Sequence, residues 1–472
     1  MIRFILNEQE IKTCLPEGMT ILDFVRYHKR LPGTKTGCRE GDCGACTVLV
    51  GDFENNNELV YRSMTSCLLP LTNVQGKHVV TVEGINMKEL SPVQQSMVDA
   101  NGSQCGFCTI GFVMSLTGFV MHNTHREYEK AIESIDGNIC RCTGYKSIER
   151  AAKNISAALE NKPKEKTLQW LVENNFLPGY FISIKEKILA LREQLVSVDE
   201  KNRDVLNIGG ATDLNVQKHS LVKKSTLRNL FDDTSLKNII KEDAQCIIGA
   251  SVTVTQFNES PIIKEIFPLL GQHIKLVSST PIRNMATLAG NIVNASPIGD
   301  MSIFFLALNA SLVLSNNGST RKIKLKDFYK GYKALDKSAS EIIVQIVFDI
   351  PSKNTLFNFE KVCKRTYLDI ASVNSAISLK INNDGIIEDI HLSAGGVAPF
   401  PKYLAATGDF LKGKKPDANT LSAAVEIINT EIQPISDARG SAEYKKLLLR
   451  QLFIAHFAIY RQEIMNEILS TA

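Results

Sequence analysis

The chain has 472 residues, of which 44% are hydrophobic and 22% are charged, and its formal net charge is +4. This length exceeds what one hydrophobic core supports and predicts about three domains. The small net charge gives no reason to expect nucleic acid as a partner. No apolar run approaches the roughly 18 residues that a membrane-spanning helix needs, and the first residues lack the apolar core of a signal peptide. We therefore expect a cytoplasmic protein that does not associate with membranes.

The first 85 residues are predicted to form a small β-rich domain. Apolar side chains alternate at Ile2, Phe4 and Leu6, as in a strand with one buried face. Two further runs of strand length follow, and residues 20–26 have the spacing of a short amphipathic helix. Two hairpins and one helix are the parts of a ferredoxin-like β-grasp domain.

A loop at residues 37–46 carries Cys38, Cys43 and Cys46 at the spacing C-x4-C-x2-C, and Cys67 follows after a predicted strand and turn. This is the ligand spacing of plant-type [2Fe–2S] clusters. Three glycines in the loop allow the positive φ angles and close backbone approach that wrapping inorganic sulfides requires. Structural zinc is the alternative, but zinc sites usually combine two separated pairs of ligands.

Four helices are predicted between residues 91 and 160, the first of them capped by Ser91 and Pro92. Two cysteine pairs lie in loops that enter the second and the fourth helix. Helix N-termini present free N–H groups and the positive end of the helix dipole, which favours an anionic cluster. A C-x-C pair is unusual in zinc sites, so a second [2Fe–2S] cluster is predicted. The pairs are Cys105 with Cys108, and Cys140 with Cys142.

These cysteine regions resemble the iron–sulfur half of the molybdenum hydroxylases, the family of xanthine dehydrogenase and aldehyde oxidase. The sequences Cys-Gly-Phe-Cys-Thr from residue 105 and Cys-Arg-Cys-Thr-Gly-Tyr from residue 140 are similar to the family's second-cluster signatures. All eight ligand positions are filled. The resemblance implies two [2Fe–2S] clusters, one held by Cys38, Cys43, Cys46 and Cys67 and the other by Cys105, Cys108, Cys140 and Cys142.

Residues 161–178 are interpreted as a linker, because residues 161–166 are charged, contain proline and lack apolar periodicity. We expect this charged run to be solvated.

Two glycine-containing stretches stand out in the mixed α/β region that follows. In the first, a strand predicted over 204–208 runs into Gly209 and Gly210; in the second, residues 280–300 are rich in small, hydroxyl and amide side chains. Such segments let backbone N–H groups approach a pyrophosphate. However, Gly-Gly often only makes a turn, and a Rossmann G-x-G-x-x-G is absent. From the residues alone, nucleotide binding stays undecided.

The family resemblance extends to both stretches, which are similar to the FAD loops of the family's flavin domain, a domain of the vanillyl-alcohol-oxidase type. It implies that the first stretch surrounds the FAD pyrophosphate and that the second contacts phosphate and ribityl groups. It also implies two adenosine-side contacts, an apolar position beside adenine and a lysine near the flavin ring. In that order, the implied residues are Asn207, Ile208, Gly209, Gly210, Ala211, Thr212, Asp213 and Leu214; Thr287, Leu288, Ala289, Gly290 and Asn291; Ser296 and Asp300; Ile343; and Lys361.

Beyond residue 359, strands are predicted from 371 and over 386–392, and a helix over 444–468, similar to the small C-terminal α/β domain of these flavoproteins. The predicted fold class is multidomain α+β. Its parts are a β-grasp [2Fe–2S] ferredoxin domain (1–85), a four-helix [2Fe–2S] domain (86–160), the linker (161–178), a PCMH-type FAD-binding domain (179–358) and a C-terminal flavoprotein domain (359–472).

The resemblance implies an electron-carrying chain, because no stretch resembles the family's molybdopterin loops. We expect the small subunit of a two-gene bacterial member of the family, paired with a molybdopterin-binding large subunit in two copies of each. Electrons from the oxidation of hypoxanthine or xanthine to urate would pass from the partner's molybdenum through the second cluster, then the first, then FAD, to NAD+. No residue of this chain is predicted to act catalytically on the substrate.

Other assignments stay open at this point. A hydroxylase of aldehydes, nicotinate or another N-heterocycle would use a similar subunit, and the sequence does not separate NAD+ from O2 as the acceptor. A stand-alone iron–sulfur flavoprotein reductase belongs to a different class. A cluster-containing redox sensor would need a DNA-binding element, and the sequence contains no basic helix pair.

Overall fold

The computed structural model describes residues 1–54, 58–195, 205–365 and 367–458. The chain falls into two compact units, each assembled from two segments. The first unit contains Met1–Asp232 and Ser279–Ala286, and the second contains Asp233–Ser278 and Thr287–Ala472. The short segment Ser279–Ala286 thus belongs to the first unit, although the sequence on both sides of it belongs to the second. None of the helices in the described ranges combines the length and apolar character that crossing a bilayer requires.

A five-stranded sheet forms the N-terminal part of the first unit. Ile2–Leu6 runs parallel to His78–Val80, and the other neighbours are antiparallel. All five residues of Ile2–Leu6 are buried, since one face packs on the main apolar core of the sheet and Ile5 packs on the helix Ile184–Glu193. From edge to edge the strands are Gln9–Thr13, Ile2–Leu6, His78–Val80, Thr47–Glu54 and Glu58–Thr65.

The helix predicted over residues 20–26 is present with a different form. Thr20 caps it by accepting a hydrogen bond from the Asp23 N–H, and the α-helical turn Ile21–Asp23 continues as the π-helical turn Phe24–His28. Two short helical segments complete this part, the 3₁₀ turn Leu71–Val74 and the helix Val82–Ile85.

The four helices predicted around the second cysteine set are confirmed. Ser91 and Gln94 form a reciprocal capping box at the first helix, with proline in its first turn, which fixes the helix start at the predicted place. The helices are Pro92–Asp99, Thr109–Met121, Tyr128–Ser134 and Lys146–Ala158.

The segment interpreted as a linker contains a helix, Thr167–Glu173, whose Leu171 is buried in the core of the four helices. The expectation of a solvated charged run is wrong for Lys162, which is 2% exposed. Its ammonium group donates to the carbonyl oxygens of Val120, His122 and His125 at 3.1, 2.7 and 2.6 Å. The last turn of an α-helix leaves carbonyls without partners, and this lysine supplies the missing donors.

The rest of the first unit contains the strand that is predicted to lead into Gly209 and Gly210. The strand Leu206–Ile208 pairs in parallel with Leu227–Asn229, and residue 204 of the predicted strand lies outside the described residues. The connecting elements are the 3₁₀ turn Gly179–Ser183 before Ile184–Glu193, and the helices Thr212–Gln217 and His219–Lys224.

The second unit contains two antiparallel sheets and a two-stranded ribbon, Tyr329–Gly331 with Ala334–Leu335. The five-stranded sheet has the order Ser319–Lys324, Ser311–Asn316, Ile342–Asp349, Gln245–Gly249 and Ile239–Glu242. The same unit contains the 3₁₀ turn Thr234–Leu236 and the helices Val254–Glu259, Pro261–Ile266, Leu270–Lys275, Leu288–Asn294 and Leu325–Phe328. The helix Asp300–Ala307 packs on the second, four-stranded sheet.

The four-stranded sheet confirms the strands predicted near residues 371 and 386. Its order is Thr355–Val362, Val373–Ile381, Ile387–Gly395 and Lys402–Tyr403, and its core is completed by the helices Ala405–Leu411, Ala418–Glu431 and Ala442–Ala458. The last helix covers the first part of the predicted helix 444–468, and residues 459–468 lie outside the described residues. The mixed α+β class is therefore confirmed.

Candidate functional site: two cysteine sites and the flavin loops

The first cysteine loop folds its backbone around its own sulfur atoms. The Cys38 N–H donates to Cys43 Sγ at 3.4 Å, and the Glu40 N–H donates to Cys38 Sγ at 3.3 Å. Gly37 leaves room for this arrangement, since an added Cβ would lie 2.6 Å from Cys43 Sγ. Gly41 has a φ of +82°, a conformation that glycine adopts without strain. The loop thus directs N–H groups at thiolate sulfur, as a [2Fe–2S] site requires.

The four thiols of this site form two contacting pairs. The hydrogen bond between Cys38 and Cys43 lowers the pKa of Cys38 to about 5 and raises the pKa of Cys43. The hydrogen bond between Cys46 and Cys67 lowers the pKa of Cys46 and raises the pKa of Cys67 in the same way. The second pair is deeply placed, because Cys46 and Cys67 are 2% and 4% exposed.

The second cysteine set is also divided into pairs. Cys142 Sγ lies 3.7 Å from Cys105 Sγ, and this contact raises the pKa of Cys142. Burial, with a hydrogen bond to Cys140, raises the pKa of Cys108 to about 12. Burial also acts on Cys140, but the Thr143 hydroxyl and N–H, at 3.2 and 3.4 Å, outweigh it and lower the pKa of Cys140.

This pairing provides a test of which metal group the cysteines fit. Within the described parts of the chain, no three or more His, Cys, Asp or Glu side chains converge as ligands of a single ion would. A [2Fe–2S] core places two thiolates on each of two irons. Both sites offer two thiol pairs, so the residues present fit a diiron core.

A direct backbone contact joins the two cysteine sites within the first unit. The Ile139 N–H, next to Cys140, donates to the Cys43 carbonyl at 3.1 Å. The Asn138 amide donates to the Gly44 carbonyl at 3.2 Å and accepts from the Ser115 hydroxyl at 2.7 Å. One ligand-bearing loop is thus hydrogen-bonded to the other by consecutive residues.

The first predicted FAD stretch lies in the first unit and is bonded to the ferredoxin part of the chain. The Asn73 amide donates to the Gly209 carbonyl at 3.0 Å. Gly210 has no room for a side chain, since an added Cβ would overlap the Met285 carbonyl oxygen. Ala211 has a φ of +59° before the helix that starts at Thr212. The predicted loop is therefore a strand, a tight turn and a helix.

The other predicted FAD residues lie in the second unit. The Thr287 hydroxyl accepts from the Gly290 N–H at 3.2 Å, and Gly290 itself is exposed. Leu288 and Ala289 donate from their N–H groups to the carbonyls of Val252 and Ala250 at 2.9 and 3.3 Å. Ala250 in turn donates to the carbonyl of Val344, next to the predicted Ile343, at 3.1 Å.

The structure brings two predicted residues, Asp300 and Lys361, into an ion pair at 2.8 Å. Lys361 Nζ also donates to the Leu276 carbonyl at 2.8 Å, and the Asn374 amide donates to Asp300 at 2.6 Å. The Asn291 amide oxygen accepts from the Ser302 N–H and hydroxyl, both at 3.1 Å. Ile343 is 3% exposed in the strand Ile342–Asp349, and Ser296 accepts from the Gly299 N–H at 3.0 Å.

Two buried amide oxygens without partners lie at predicted FAD residues, one in the first stretch and one on Asn374, which is bonded to Asp300. The amide oxygens of Asn207 in the first unit and Asn374 in the second are buried and accept no hydrogen bond from any described residue. Buried polar atoms are nearly always paired in native proteins, so such atoms fit a ligand or water with hydroxyl donors. In each unit taken by itself, the small side chains and the buried acceptor fit contact with one part of a ribityl-bearing nucleotide.

Sequence reasoning missed several side chains that hold these loops in place. Asn138 and Asn374 bond loops across distant parts of the sequence, and so do Asn73 and Asn215, whose amide donates to the Leu68 carbonyl at 2.7 Å. The sequence pattern that could indicate such a residue is an amide side chain inside an apolar run, as at Asn73 between Leu71 and Val74.

Comparisons with protein-family models match four successive regions of the chain. The descriptions are a 2Fe-2S iron-sulfur cluster binding domain for residues 4–72, a [2Fe-2S] binding domain for 81–153, an FAD binding domain in molybdopterin dehydrogenase for 190–352, and a CO dehydrogenase flavoprotein C-terminal domain for 359–458.

Among curated proteins, the chain is similar to xanthine dehydrogenases. It is 29% identical to that of Blastobotrys adeninivorans, over 95% of this chain and 40% of the relative. It is 30% identical to those of Oryza sativa subsp. japonica and Emericella nidulans, over 95% and 99% of this chain. In both cases 39% of the relative is covered, so the chain spans well under half the length of these proteins.

Two solved structures show the same fold over part of the chain. A Cu,Mo-CO dehydrogenase in a cyanide-inactivated form matches at 25% identity with a TM-score of 0.51, over 55% of this chain and 90% of that one. A carbon monoxide dehydrogenase from Hydrogenophaga pseudoflava that lacks the Mo-pyranopterin moiety matches at 25% identity with a TM-score of 0.50, over 56% of this chain and 90% of that one. The matches identify two [2Fe–2S] domains, an FAD-binding domain and a flavoprotein C-terminal domain, and together they fit the iron–sulfur and FAD part of a molybdenum hydroxylase.

Proposed function

We propose that this chain is the iron–sulfur and FAD subunit of a xanthine dehydrogenase. It would take electrons from the molybdenum of a partner subunit and deliver them to NAD+, in the oxidation of hypoxanthine and xanthine to urate. The observation that carries the proposal is the set of eight cysteines in four thiol pairs, joined by the bond between Cys43 and Ile139.

In this proposal the inner site, Cys38, Cys43, Cys46 and Cys67, holds one [2Fe–2S] cluster, and the outer site, Cys105, Cys108, Cys140 and Cys142, holds the other. Bound clusters carry single electrons, and bound FAD exchanges both single electrons and pairs, which matches clusters to a nicotinamide acceptor. The chain itself fixes the distance between the sites and directs N–H groups at sulfur. It also limits the access of water to the buried pair Cys46 and Cys67.

The hydrogen bond from Ile139 to Cys43 supports direct transfer between the two sites. It connects a ligand of the inner site to the residue beside Cys140, a ligand of the outer site, through one hydrogen bond of 3.1 Å and a short run of covalent bonds. No side chain has to rotate to complete this connection, because every group between the two cysteines is backbone.

For FAD, the proposed binding residues are the first stretch from Asn207 to Leu214, the second from Thr287 to Asn291, and Ser296, Asp300, Ile343 and Lys361. Lys361 and Asp300 form an ion pair in the second unit, so a positive charge is already held in place by a carboxylate. Neither stretch contains cysteine or histidine, and the flavin is therefore expected to be released by denaturation.

The outer site supports docking of a molybdopterin-binding partner. Cys105 and Cys142 are exposed, and so are the aromatic rings of Phe107 and Tyr145, at 46% and 39%. Exposed aromatic rings beside a redox site favour burial in a protein interface, since aromatic side chains are enriched in such contacts. We propose a cytoplasmic heterotetramer of two small and two large subunits.

The choice of xanthine rests on the curated relatives, which carry that name. A second candidate is the equivalent subunit of another molybdenum hydroxylase, because the two solved structures described above are CO dehydrogenases. The substrate would be selected by the partner subunit in either case.

The test separates the tasks of the two subunits. The isolated chain should oxidise NADH with an artificial dye and should not hydroxylate xanthine. In the complete complex, Cys140→Ser should abolish xanthine-dependent NAD+ reduction while NADH–dye activity persists. Xanthine turnover by the molybdenum-free chain, or unchanged xanthine-to-NAD+ activity in a Cys140→Ser complex that has lost its outer cluster, would overturn the proposal.

A further inference from the structure

Two buried asparagines connect the ferredoxin part of the first unit to the first flavin stretch. Each donates a hydrogen bond to a backbone carbonyl of the other segment. Asn73, in the ferredoxin part, donates its amide to the Gly209 carbonyl in the first flavin stretch at 3.0 Å. Asn215, in the helix that ends this stretch, donates its amide to the Leu68 carbonyl at 2.7 Å. Asn73 is 1% exposed and Asn215 is 4% exposed. We call this arrangement the amide clamp.

Both ends of the amide clamp lie at a cofactor loop. Leu68 follows the inner-site ligand Cys67, and its Cδ1 lies 2.7 Å from where a Cβ would stand on Gly41, whose N–H in turn faces the Cys67 sulfur. Gly209 lies in the tight turn of the flavin stretch. The clamp therefore joins the peptide next to a cluster ligand to the peptide next to the proposed pyrophosphate site.

The clamp is not explained by stability alone. In each asparagine the amide oxygen is buried and accepts no hydrogen bond from the described residues. A buried polar atom without a partner costs free energy that an apolar side chain of similar size would avoid. The two amides thus occupy positions where only their donor groups are used, and both donors fasten a loop.

We propose that Asn73 and Asn215 are positioning residues that couple cluster binding at the inner site to FAD binding at the first flavin stretch. When the cluster fixes Cys67 and Leu68, the clamp holds Asn207–Leu214 in its binding conformation, so less ordering remains when FAD binds. Linkage makes this reciprocal: FAD strengthens retention of the inner cluster by the same factor. The inference rests on the proposed cluster and FAD sites.

The chain offers a matched control in Asn229. Its amide donates to the Thr72 carbonyl at 3.1 Å, so it ties the same two parts of the first unit together. Among the described residues, its side chain bonds to Thr72, Asp232 and Phe231, and to neither the cysteine loop nor the turn at Gly209 and Gly210. Its backbone pairs with Ile208 in the neighbouring strand, and this pairing does not depend on the side chain. If Asn73 and Asn215 only hold the two parts together, replacing them should leave the effect of the inner cluster on FAD affinity unchanged, as expected for Asn229.

The experiment is a double-mutant cycle on the full chain, read by equilibrium binding of FAD. The four proteins are the unaltered chain, Cys67→Ser, Asn215→Ala and the double variant. We expect Cys67→Ser to weaken FAD binding about tenfold in the unaltered chain, within the usual range of coupling between sites. In the Asn215→Ala background the same substitution should change FAD affinity less than about twofold. The Asn229→Ala background should retain the full tenfold effect.

Spin resonance of the outer cluster reports whether each variant is folded. If Asn215→Ala fails to fold, Asn73→Ala carries the same cycle from the other side of the clamp. An unaltered chain that binds no FAD or no inner cluster would refute the proposed function. Two outcomes would refute only the coupling. In the first, Cys67→Ser weakens FAD binding equally in the clamp variants and in the unaltered chain; in the second, it changes FAD affinity in none of these backgrounds.

Discussion

The inner and outer cysteine sites have the same number of cysteines and differ in how the rest of the chain surrounds them. Each contains a glycine in the left-handed region, Gly44 with a φ of +66° and Gly144 with a φ of +65°. A Cβ on Gly44 would overlap the Gly137 carbonyl and the Asn138 amide, whereas a Cβ on Gly144 would meet nothing within 4 Å. The same backbone conformation is enclosed in one site and open in the other.

The difference shows how a single chain can prepare two similar metal sites for different neighbours. In the inner site, Cys46 and Cys67 are buried among apolar side chains and only Cys38 is exposed. The outer site leaves Cys105 and Cys142 at the surface. This is the arrangement expected when one site exchanges electrons within the chain and the other exchanges them with a separate protein.

The largest effect is expected from replacing the two glycines with alanine. Gly44→Ala should prevent the inner loop from closing and lower the free energy of unfolding by more than about 3 kcal/mol, because steric overlap adds to backbone strain. Gly144→Ala should cost only the strain of about 1–2 kcal/mol and retain the outer cluster. Thermal unfolding and iron content measure both outcomes. Equal losses in the two variants would contradict the difference in enclosure.

A second expectation concerns the order in which the clusters are lost. In the isolated chain, the outer cluster should be removed by a chelator about tenfold faster than the inner one, corresponding to about 1.4 kcal/mol in opening free energy. The two spin-resonance signals should decay separately during the treatment. Adding the proposed molybdopterin-binding partner should slow loss of the outer signal alone. Faster decay of the inner signal would reverse the assignment of exposed and enclosed sites.

A smaller effect is expected at Lys162, which caps the end of the helix that begins beside Cys108. Burial lowers the pKa of Lys162 from 10.5 to about 8, so between these values the unfolded chain binds more protons than the folded chain. The free energy of unfolding should therefore rise with pH from about 8 to 10.5, relative to Lys162→Met, by on the order of 1 kcal/mol. Below pH 8 this difference should be flat.

The matched control is Lys164→Met, at an exposed position of the same charged run. Denaturant titrations of the cluster-free proteins at several pH values provide the measurement. A Lys162→Met variant whose stability follows the unaltered chain across the whole window would show that the buried ammonium does not titrate there.

The sequence predicted those parts of the structure that depend on short-range signals. The first helix of the cysteine region starts at Ser91 because the capping residues lie within four positions of each other. The cysteine spacings likewise group the eight cysteines into two sets, and within each set the structure places the thiols in contacting pairs. Alternation over residues 386–392 predicts a C-terminal strand, and the structure has it at Ile387–Gly395. The strand start predicted from residue 371 corresponds to Val373–Ile381.

Long-range contacts account for what the sequence did not reveal. Segment Ser279–Ala286 joins the first unit because Asp136 accepts from the Thr280 N–H at 2.7 Å and the Asn284 amide donates to the Ser63 carbonyl at 2.8 Å. Nothing in its local composition indicates these partners. The expectation of a solvated charge fails at Lys162 for the same reason, since its three carbonyl partners lie about 40 positions away in sequence. The division of eight cysteines into four pairs also required the fold.

The most direct test of the central claim is metal, sulfide and spin analysis of the purified chain. Two diiron cores predict about four iron and four acid-labile sulfide per chain, and two distinct spin-resonance signals after reduction. Cys67→Ser should remove one signal and Cys140→Ser the other, each with about half the iron. Zinc at either site, or a single signal that both substitutions abolish, would contradict the assignment of two separate [2Fe–2S] clusters.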